Sequence, residues 1–133
     1  MGAAGEPIDV LLVEDNEVFR EALEVLLRLS GGLRVVAAVA DGASALEACR
    51  RTAPDVVVMD YRLPDLDGVE TTRALREACP GSAIVALSAA ADETAAAALL
   101  EAGAVACLMK DRELDEIVAA IRSAARRGAD AAT

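Results

Sequence analysis

Several apolar runs of this sequence end at polar side chains that could take part in chemistry. These side chains are the acidic pair Glu14 and Asp15, then Asp60, Ser88 and Lys110. A short apolar run bounded by turn residues predicts a strand buried on both faces of a parallel sheet. The carboxyl ends of parallel strands share one edge, where ligands bind in open α/β folds. We therefore expect these side chains to converge, with Asp60 as the reactive group.

The residue types in this set indicate which chemistry to expect. Carboxylates held close together repel one another, so some would take up protons unless a cation joined them. Mg2+ is the natural cation, because it is a hard ion that binds carboxylates and phosphate through oxygen. Lys110 would place a positive charge near a phosphoryl oxygen, and Ser88 would donate a hydrogen bond to it. The set is typical of phosphoryl transfer onto a carboxylate, which forms an aspartyl phosphate.

Alternating strands and helices are needed to position these residues. Strands are expected over residues 8–13, 33–40, 55–60, 82–87 and 104–109, and helices over residues 16–30, 43–52, 68–79, 92–102 and 112–127. This alternation indicates an α/β fold in which helices cover both faces of a parallel sheet.

The first and last helices carry apolar stripes that are expected to face the sheet. Asn16 is the predicted N-cap of the first helix, whose stripe contains Phe19, Leu23 and Leu26. The stripe of the last helix consists of Leu114, Ile117, Val118 and Ile121.

The composition fits one domain and excludes several kinds of site. The chain has 133 residues, of which 55% are hydrophobic, and its net charge of −10 disfavours direct binding to nucleic acid. It contains no histidine, which excludes Ser-His-Asp catalysis and histidine-ligated metals. Cys49, Cys79 and Cys107 are expected to be reduced, as in the cytosol. No apolar run is long enough to span a membrane, and residues 1–7 lack the features of a signal peptide.

The site residues and their spacing resemble the receiver domain of bacterial two-component response regulators, over about residues 8–127. The matching residues are Glu14, Asp15, Asp60, Pro64, Gly68, Ser88, Ala89 and Lys110. The resemblance implies a flavodoxin-like (βα)5 three-layer sandwich with a five-stranded parallel sheet in the order 2-1-3-4-5. It also implies that Asp60 accepts a phosphoryl group from a sensor histidine kinase. Mg2+ would be held by Asp15, Asp60 and the backbone carbonyl of Arg62, with Glu14 acting through water.

The resemblance also implies an output. The Asp-x-Arg-x-Pro loop that starts at Asp60, and the pair Lys110-Asp111, resemble receivers that carry a LuxR-type helix-turn-helix. The expected role is a transcriptional switch rather than an enzyme, located in the cytoplasm and without contact to a membrane. DNA would be reached only through an output domain absent from these residues, with a phosphorylation-dependent homodimer as a further expectation. Residues 1–7 are expected to be flexible, and residues 128–133 to be a tail or the start of a linker.

Cys107 departs from the family pattern. Receivers usually carry an aromatic residue three positions before the lysine, and it turns inward as the hydroxyl moves toward the phosphate. With Cys107 at that position, the switch either works through Ser88 and strand–helix shifts, or the output differs. The sequence leaves both interpretations open.

The sequence is also compatible with two alternative functions. One is an interaction module with a receiver fold whose output does not depend on phosphate. The other follows from residues 65–69, which resemble the DxDx(T/V) nucleophile motif of haloacid-dehalogenase-type phosphatases. That motif should follow an apolar strand directly, whereas Leu63 and Pro64 precede it here, so the first reading of Asp60 is favoured.

Overall fold

The computed structural model describes residues 6–65, 67–88 and 93–132, and over these residues the chain forms one parallel sheet between two layers of helices. The strands are β1 (Ile8–Val13), β2 (Leu33–Val39), β3 (Val56–Asp60), β4 (Ala83–Ser88) and β5 (Ala106–Met109). The helices are α1 (Glu17–Leu29), α2 (Gly42–Thr52), α3 (Gly68–Ala78), α4 (Glu93–Ala102) and α5 (Leu114–Ala132). The strand order β2-β1-β3-β4-β5 confirms the predicted flavodoxin-like (βα)5 fold.

Each face of the sheet has its own aliphatic core. Successive residues of a strand point to opposite faces, so Val56 and Val58 enter one core while Val57 and Met59 enter the other. The first core is completed by side chains of α1 and α5, and the second by side chains of α2, α3 and α4. All five residues of β3 are buried, so Asp60 lies at the end of a strand that is covered on both faces.

The inward face of α1 differs from the prediction at Leu26. Leu23 and Leu27 are buried, whereas Leu26 is 43% exposed and Ala22 also lies on the outside. Phe19, Leu23 and Leu27 follow one another at intervals of four residues and therefore lie along one side of the helix. Apolar residues also occupy much of the remaining surface of α1, so periodicity alone did not identify the buried side. The N-cap prediction is confirmed, because the Asn16 side chain accepts a hydrogen bond from the Phe19 amide at 2.9 Å.

The last helix is longer than predicted. α5 begins at Leu114 and continues to Ala132, whereas the sequence indicated residues 112–127. Ile117, Val118 and Ile121 are buried as predicted, and Leu114 packs against the same core. The proposed domain limits, with residues 1–7 as a flexible start and residues 128–133 as a tail, stay a prediction. Residues 1–5, Ala89 and Asp92 lie outside the described part of the chain.

None of the helices in the described ranges combines the length and the apolar composition that a bilayer-spanning helix requires.

Candidate functional site

Carboxylates from two adjacent strands meet at the carboxyl edge of the sheet. β1 and β3 pair in parallel with Val13 opposite Met59, so the residues that follow them, Glu14 and Asp60, become neighbours. Carboxylate oxygens of Glu14, Asp15 and Asp60 all lie within 4.8 Å of one another. We call these three residues the acidic cluster. Glu14 and Asp60 are buried, whereas Asp15 is exposed.

Lys110 brings the opposite charge into the acidic cluster. Its Nζ lies 2.6 Å from Oε1 of Glu14 and 3.3 Å from Oδ2 of Asp60. Burial lowers the pKa of Lys110, but the hydrogen bonds and charges of Glu14 and Asp60 outweigh burial and raise that pKa above its ordinary value. Lys110 is therefore a permanent cation of the site. Its Nζ also lies 4.7 Å from the centroid of the Phe19 ring, so α1 contributes a cation–π contact.

Glu14 is buried, with 1% of its surface exposed, and both its carboxylate and its backbone carbonyl accept hydrogen bonds. Burial, the largest influence, raises the pKa of Glu14, although hydrogen bonds from Lys110 and from the Asn16 amide lower it. The Asn16 amide donates to Oε2 of Glu14 at 3.0 Å, and Nη1 of Arg20 donates to its backbone carbonyl at 2.8 Å. These contacts hold the carboxylate at the end of β1.

The charge balance of the site fits a divalent cation. Three carboxylates face one ammonium group in the acidic cluster and Lys110, which leaves negative charge in excess. All the donors of the cluster are carboxylate oxygens, the ligands that a hard ion such as Mg2+ prefers. The sequence prediction that these residues lie together is borne out by this geometry, and their role as metal ligands stays a prediction.

Ser88 ends β4 beside the other site residues. Ser88 is buried, with 8% of its surface exposed. Its backbone carbonyl accepts a hydrogen bond from the Lys110 amide at 2.7 Å. The pairing of β3 with β4 places Asp60 opposite Leu87, one residue before Ser88. The structure therefore brings Ser88 to the same edge as Asp60 and Lys110, as the sequence predicted, while its catalytic role is untested.

The loop after β3 turns sharply around Asp60. The Arg62 amide donates to Oδ1 of Asp60 at 3.3 Å, which places the Arg62 backbone next to the Asp60 carboxylate. A Cβ on Gly68 would lie 2.6 Å from the carbonyl oxygen of Tyr61, so only glycine fits the close approach of α3 to this loop. The proposed metal contact of the Arg62 carbonyl remains a prediction.

The carboxylates of the phosphatase-like motif have structural partners instead. Asp65 accepts hydrogen bonds from the Gly42 and Ala43 amides at 2.8 and 3.0 Å, and so caps α2 from a distant loop. Asp67 is the N-cap of α3 and accepts from the Glu70 amide at 2.8 Å. Neither carboxylate directly follows a strand, so this geometry does not favour the phosphatase alternative.

Cys107 lies within β5 opposite Ala86 and packs against the core formed with α2, α3 and α4. It is half-buried, and burial raises the pKa of its thiol. A small apolar side chain therefore occupies the position where the family usually has an aromatic ring. Its role in switching stays open.

Sequence reasoning missed two contributions to the site. The sequence pattern places Phe19 on the apolar stripe of α1. Its cation–π contact with Lys110 joins residues that are distant in sequence. Asp65 carried a phosphatase-like signal, whereas its carboxylate connects the Asp60 loop to α2. No local sequence pattern indicates either contact.

The strand order and the acidic cluster define a flavodoxin-like α/β domain with a group of carboxylates at the carboxyl edge of the sheet. The family model described as the response regulator receiver domain matches residues 10–122. The chain therefore belongs to the receiver domains of two-component response regulators.

Curated relatives are similar to nearly the whole chain. Transcriptional regulatory protein DegU from Brevibacillus brevis is 33% identical over 92% of this chain and 52% of its own length. Transcriptional regulatory protein NarL from Mycobacterium tuberculosis is 35% identical over 91% of this chain and 56% of its own length. The chain thus spans about half the length of these curated relatives.

Solved structures show the same architecture. The signal receiver domain of the response regulator NarL from Mycobacterium tuberculosis has a TM-score of 0.86 and 35% identity, over 91% of this chain and 98% of that chain. A two-component response regulator of the LuxR family from an Aurantimonas species has a TM-score of 0.86 and 32% identity, over 91% of this chain and 86% of that chain. These likenesses support the expected relation to receivers of the LuxR type.

Proposed function

We propose that this chain is a phosphorylation-activated signalling switch, in which Asp60 accepts a phosphoryl group from a sensor histidine kinase. The proposal rests on one observation: at the end of β3, the Lys110 ammonium group lies within ion-pair distance of two carboxylates of the acidic cluster. Membership of the receiver family supports the same reading. The switch would act on no other substrate, so its only chemistry would be its own phosphorylation and dephosphorylation.

The proposed cofactor is Mg2+. Asp15, Asp60 and the Arg62 carbonyl would hold the ion, with Glu14 acting through water. When bound, Mg2+ would supply positive charge that screens the phosphoryl oxygens from the carboxylates around them.

The residues of the chain have separate tasks in the proposed transfer. A carboxylate oxygen of Asp60 attacks phosphorus in line, so an O–P bond forms while the N–P bond of the kinase phosphohistidine breaks. Lys110 exchanges its contact with Asp60 for a phosphoryl oxygen and neutralises part of its charge. The Ser88 hydroxyl donates a hydrogen bond to another phosphoryl oxygen. Burial of Asp60 keeps bulk water away from the attacking oxygen.

The proposed output is transcriptional and depends on a further domain. The added charge on Asp60 would pull on Ser88 and Lys110 and so bias a two-state surface of the domain. A phosphorylation-dependent homodimer and DNA contact through an output domain complete the proposal, which places the chain in the cytoplasm. Support comes from the curated relatives, whose names describe transcriptional regulators and which are about twice as long as the matched region.

The decisive experiment is intact mass spectrometry after incubation with acetyl phosphate. Wild type should gain one phosphoryl group only when Mg2+ is present, and Asp60→Asn should gain none while it keeps its fold. Asp65→Asn is the matched control, because it changes a carboxylate of the same loop and retains an oxygen that can cap α2. Undiminished uptake in Asp60→Asn would refute the assignment, and uptake that depended on Asp65 would support the phosphatase alternative.

The half-buried Cys107 favours a second candidate, an interaction module whose output does not depend on phosphate. An aromatic switch residue is missing at that position, so phosphate could leave the output surface unchanged. Titration with Mg2+ separates the two candidates. Wild-type binding that is lost in Asp15→Ala supports the phosphorylated switch, and absence of binding in wild type supports the interaction module.

A further inference from the structure

A cavity with mixed polar and apolar lining lies at the opposite edge of the sheet from Asp60. It has a volume of about 340 Å³ and lies between the carboxyl ends of α2 and α3, beside the first residues of β3 and β4. Its lining residues include Cys49, Cys79, Arg50, Asp55 and Ser82. Two of the three cysteines of the chain therefore share one opening to solvent, although they are far apart in sequence.

The two thiols are neighbours with different exposure. Cys49 lies in α2 with 1% of its surface exposed, and its Sγ donates a weak hydrogen bond to Oγ of Ser82 at 3.6 Å. Ser82 is itself held by a 2.7 Å hydrogen bond to the Pro54 carbonyl. Cys79 is the C-cap of α3, is half-buried, and packs against the core that contains Cys49. Solvent therefore reaches Cys79 more readily than Cys49.

The chemistry of Cys49 depends on its neighbour. Burial, then the hydrogen bond with the Cys79 thiol, raise the pKa of Cys49 to about 12; the hydrogen bond with Ser82 lowers this pKa, and the charge of Cys79 raises it further. Cys79 is the more exposed of the two thiols and is therefore the group that meets a reagent first. Conversion of Cys79 to a mixed disulfide would remove its hydrogen bond and its charge, two of the influences that raise the pKa of Cys49, while burial, the largest influence, would stay.

We propose that Cys49 and Cys79 form a redox-sensitive dithiol that a low-molecular-weight disulfide oxidises to an intramolecular disulfide. In the first step Cys79 sulfur attacks one sulfur of the reagent, which forms a mixed disulfide and releases one small thiol that carries the Cys79 proton. In the second step Cys49 sulfur attacks the Cys79 sulfur, which releases a second small thiol that carries the Cys49 proton. Two protein thiols are oxidised and one reagent disulfide is reduced. Cys79 lines the cavity, so the reagent can reach its sulfur from solvent during the first step.

The new bond would close a loop of the chain that contains β3. Residues 49–79 include all of β3 and the loop that follows Asp60. A crosslink between the ends of this segment restricts the unfolded chain, so the oxidised protein should have a higher melting temperature than the reduced protein. This inference does not rest on the proposed function, because it involves neither the acidic cluster nor Lys110.

The test treats the folded wild-type chain with excess glutathione disulfide, blocks the remaining thiols with N-ethylmaleimide and maps the linkages by mass spectrometry. Trypsin alone leaves Cys79 and Cys107 together on the peptide 77–110, so a second protease must cut after Glu93 and Glu101. The expected result is a loss of two hydrogens, a Cys49–Cys79 linked peptide, Cys107 blocked by maleimide, and a raised melting temperature. Any of three results would overturn the proposal: a mixed disulfide that persists on Cys79, thiols that all remain free, or a disulfide that involves Cys107.

Single substitutions separate the two steps. Cys49→Ser should stop at the glutathione adduct on Cys79, and Cys79→Ser should form neither an adduct nor a crosslink. Cys107→Ser is the matched control, because Cys107 packs against the same core but does not line the cavity. It should give the same Cys49–Cys79 crosslink as wild type, and loss of the crosslink in this control would contradict the assigned pair.

Discussion

At the scale of single residues, the site depends on how Lys110 is held. Two buried carboxylates attract its ammonium group, and the Phe19 ring supports it from α1. An ammonium ion is strongly hydrated, so a fixed position requires several partners that replace water. We therefore expect Phe19 to position Lys110 in addition to packing against the core.

Replacement of the Phe19 ring should slow phosphoryl uptake without abolishing it. Phe19→Leu keeps an apolar side chain but removes the cation–π contact, which is worth about 1 kcal/mol at a partly buried position. That loss corresponds to about a fivefold slower reaction with acetyl phosphate. Rates for Val18→Ala, an exposed change on the same helix, should equal those of wild type. Equal rates for Phe19→Leu and wild type would show that the ring does not position Lys110.

At the scale of the elements, burial of α1 is decided by packing against the sheet and α5. Leu27 belongs to the core shared with Ile117 and Ile121, whereas Leu26 faces outward on the adjacent side of the helix. Neighbouring leucines should therefore differ widely in their contribution to stability.

Leu27→Ala should destabilise the fold by about 2–5 kcal/mol, because it removes a fully buried side chain and leaves a cavity. Leu26→Ala should change the free energy of unfolding by about 0.5 kcal/mol or less, since that side chain is largely exposed. Urea denaturation of the two variants measures both values. A larger loss for Leu26→Ala would mean that the inward face is the one that the sequence pattern indicated.

Two glycines that flank α3, Gly68 at its start and Gly81 beyond its end, allow a similar comparison. Gly68→Ala places a methyl group against the Tyr61 backbone and should cost about 1–3 kcal/mol, with slower phosphoryl uptake because the loop beside Asp60 must shift. Gly81→Ala is the control, since a Cβ there meets no heavy atom within 4 Å. Thermal denaturation and the acetyl phosphate reaction test both effects. Similar behaviour of the two variants would contradict the close approach at Gly68.

At the scale of the whole molecule, the acidic cluster couples the site to folding. Its carboxylates come from the ends of β1 and β3, so they are close together only when the sheet is formed. An ion that binds this arrangement, and not the unfolded chain, must stabilise the fold.

Mg2+ should therefore raise the melting temperature of wild type, with a stabilisation of about 2.7 kcal/mol at a concentration a hundred times the dissociation constant. Asp15→Ala should reduce this response, because it removes one carboxylate of the cluster. Asp111→Ala removes an exposed carboxylate outside the cluster and should respond as wild type does. Differential scanning calorimetry at several Mg2+ concentrations measures the response, and equal shifts in both variants would exclude a specific site.

Local sequence patterns suffice to predict the alternation of strands and helices and the set of residues at the carboxyl edge. Short apolar runs ending at Asp60, Ser88 and Lys110 carry that information locally, because a strand buried on both faces needs continuous apolar residues. Asn16 as a helix cap is equally local, since its partner is the Phe19 amide three residues later. The strand order followed only from the family resemblance, and the sheet confirms it.

Contacts between residues far apart in sequence could be identified only from the folded chain. The second role of Phe19, the capping of α2 by Asp65 and the meeting of Cys49 with Cys79 each join residues far apart in sequence. The buried side of α1 belongs to the same group, because several apolar stripes compete and the packing partners select one of them. A local sequence pattern indicates which side chains of a segment can be buried. The fold determines which other side chains each of them contacts.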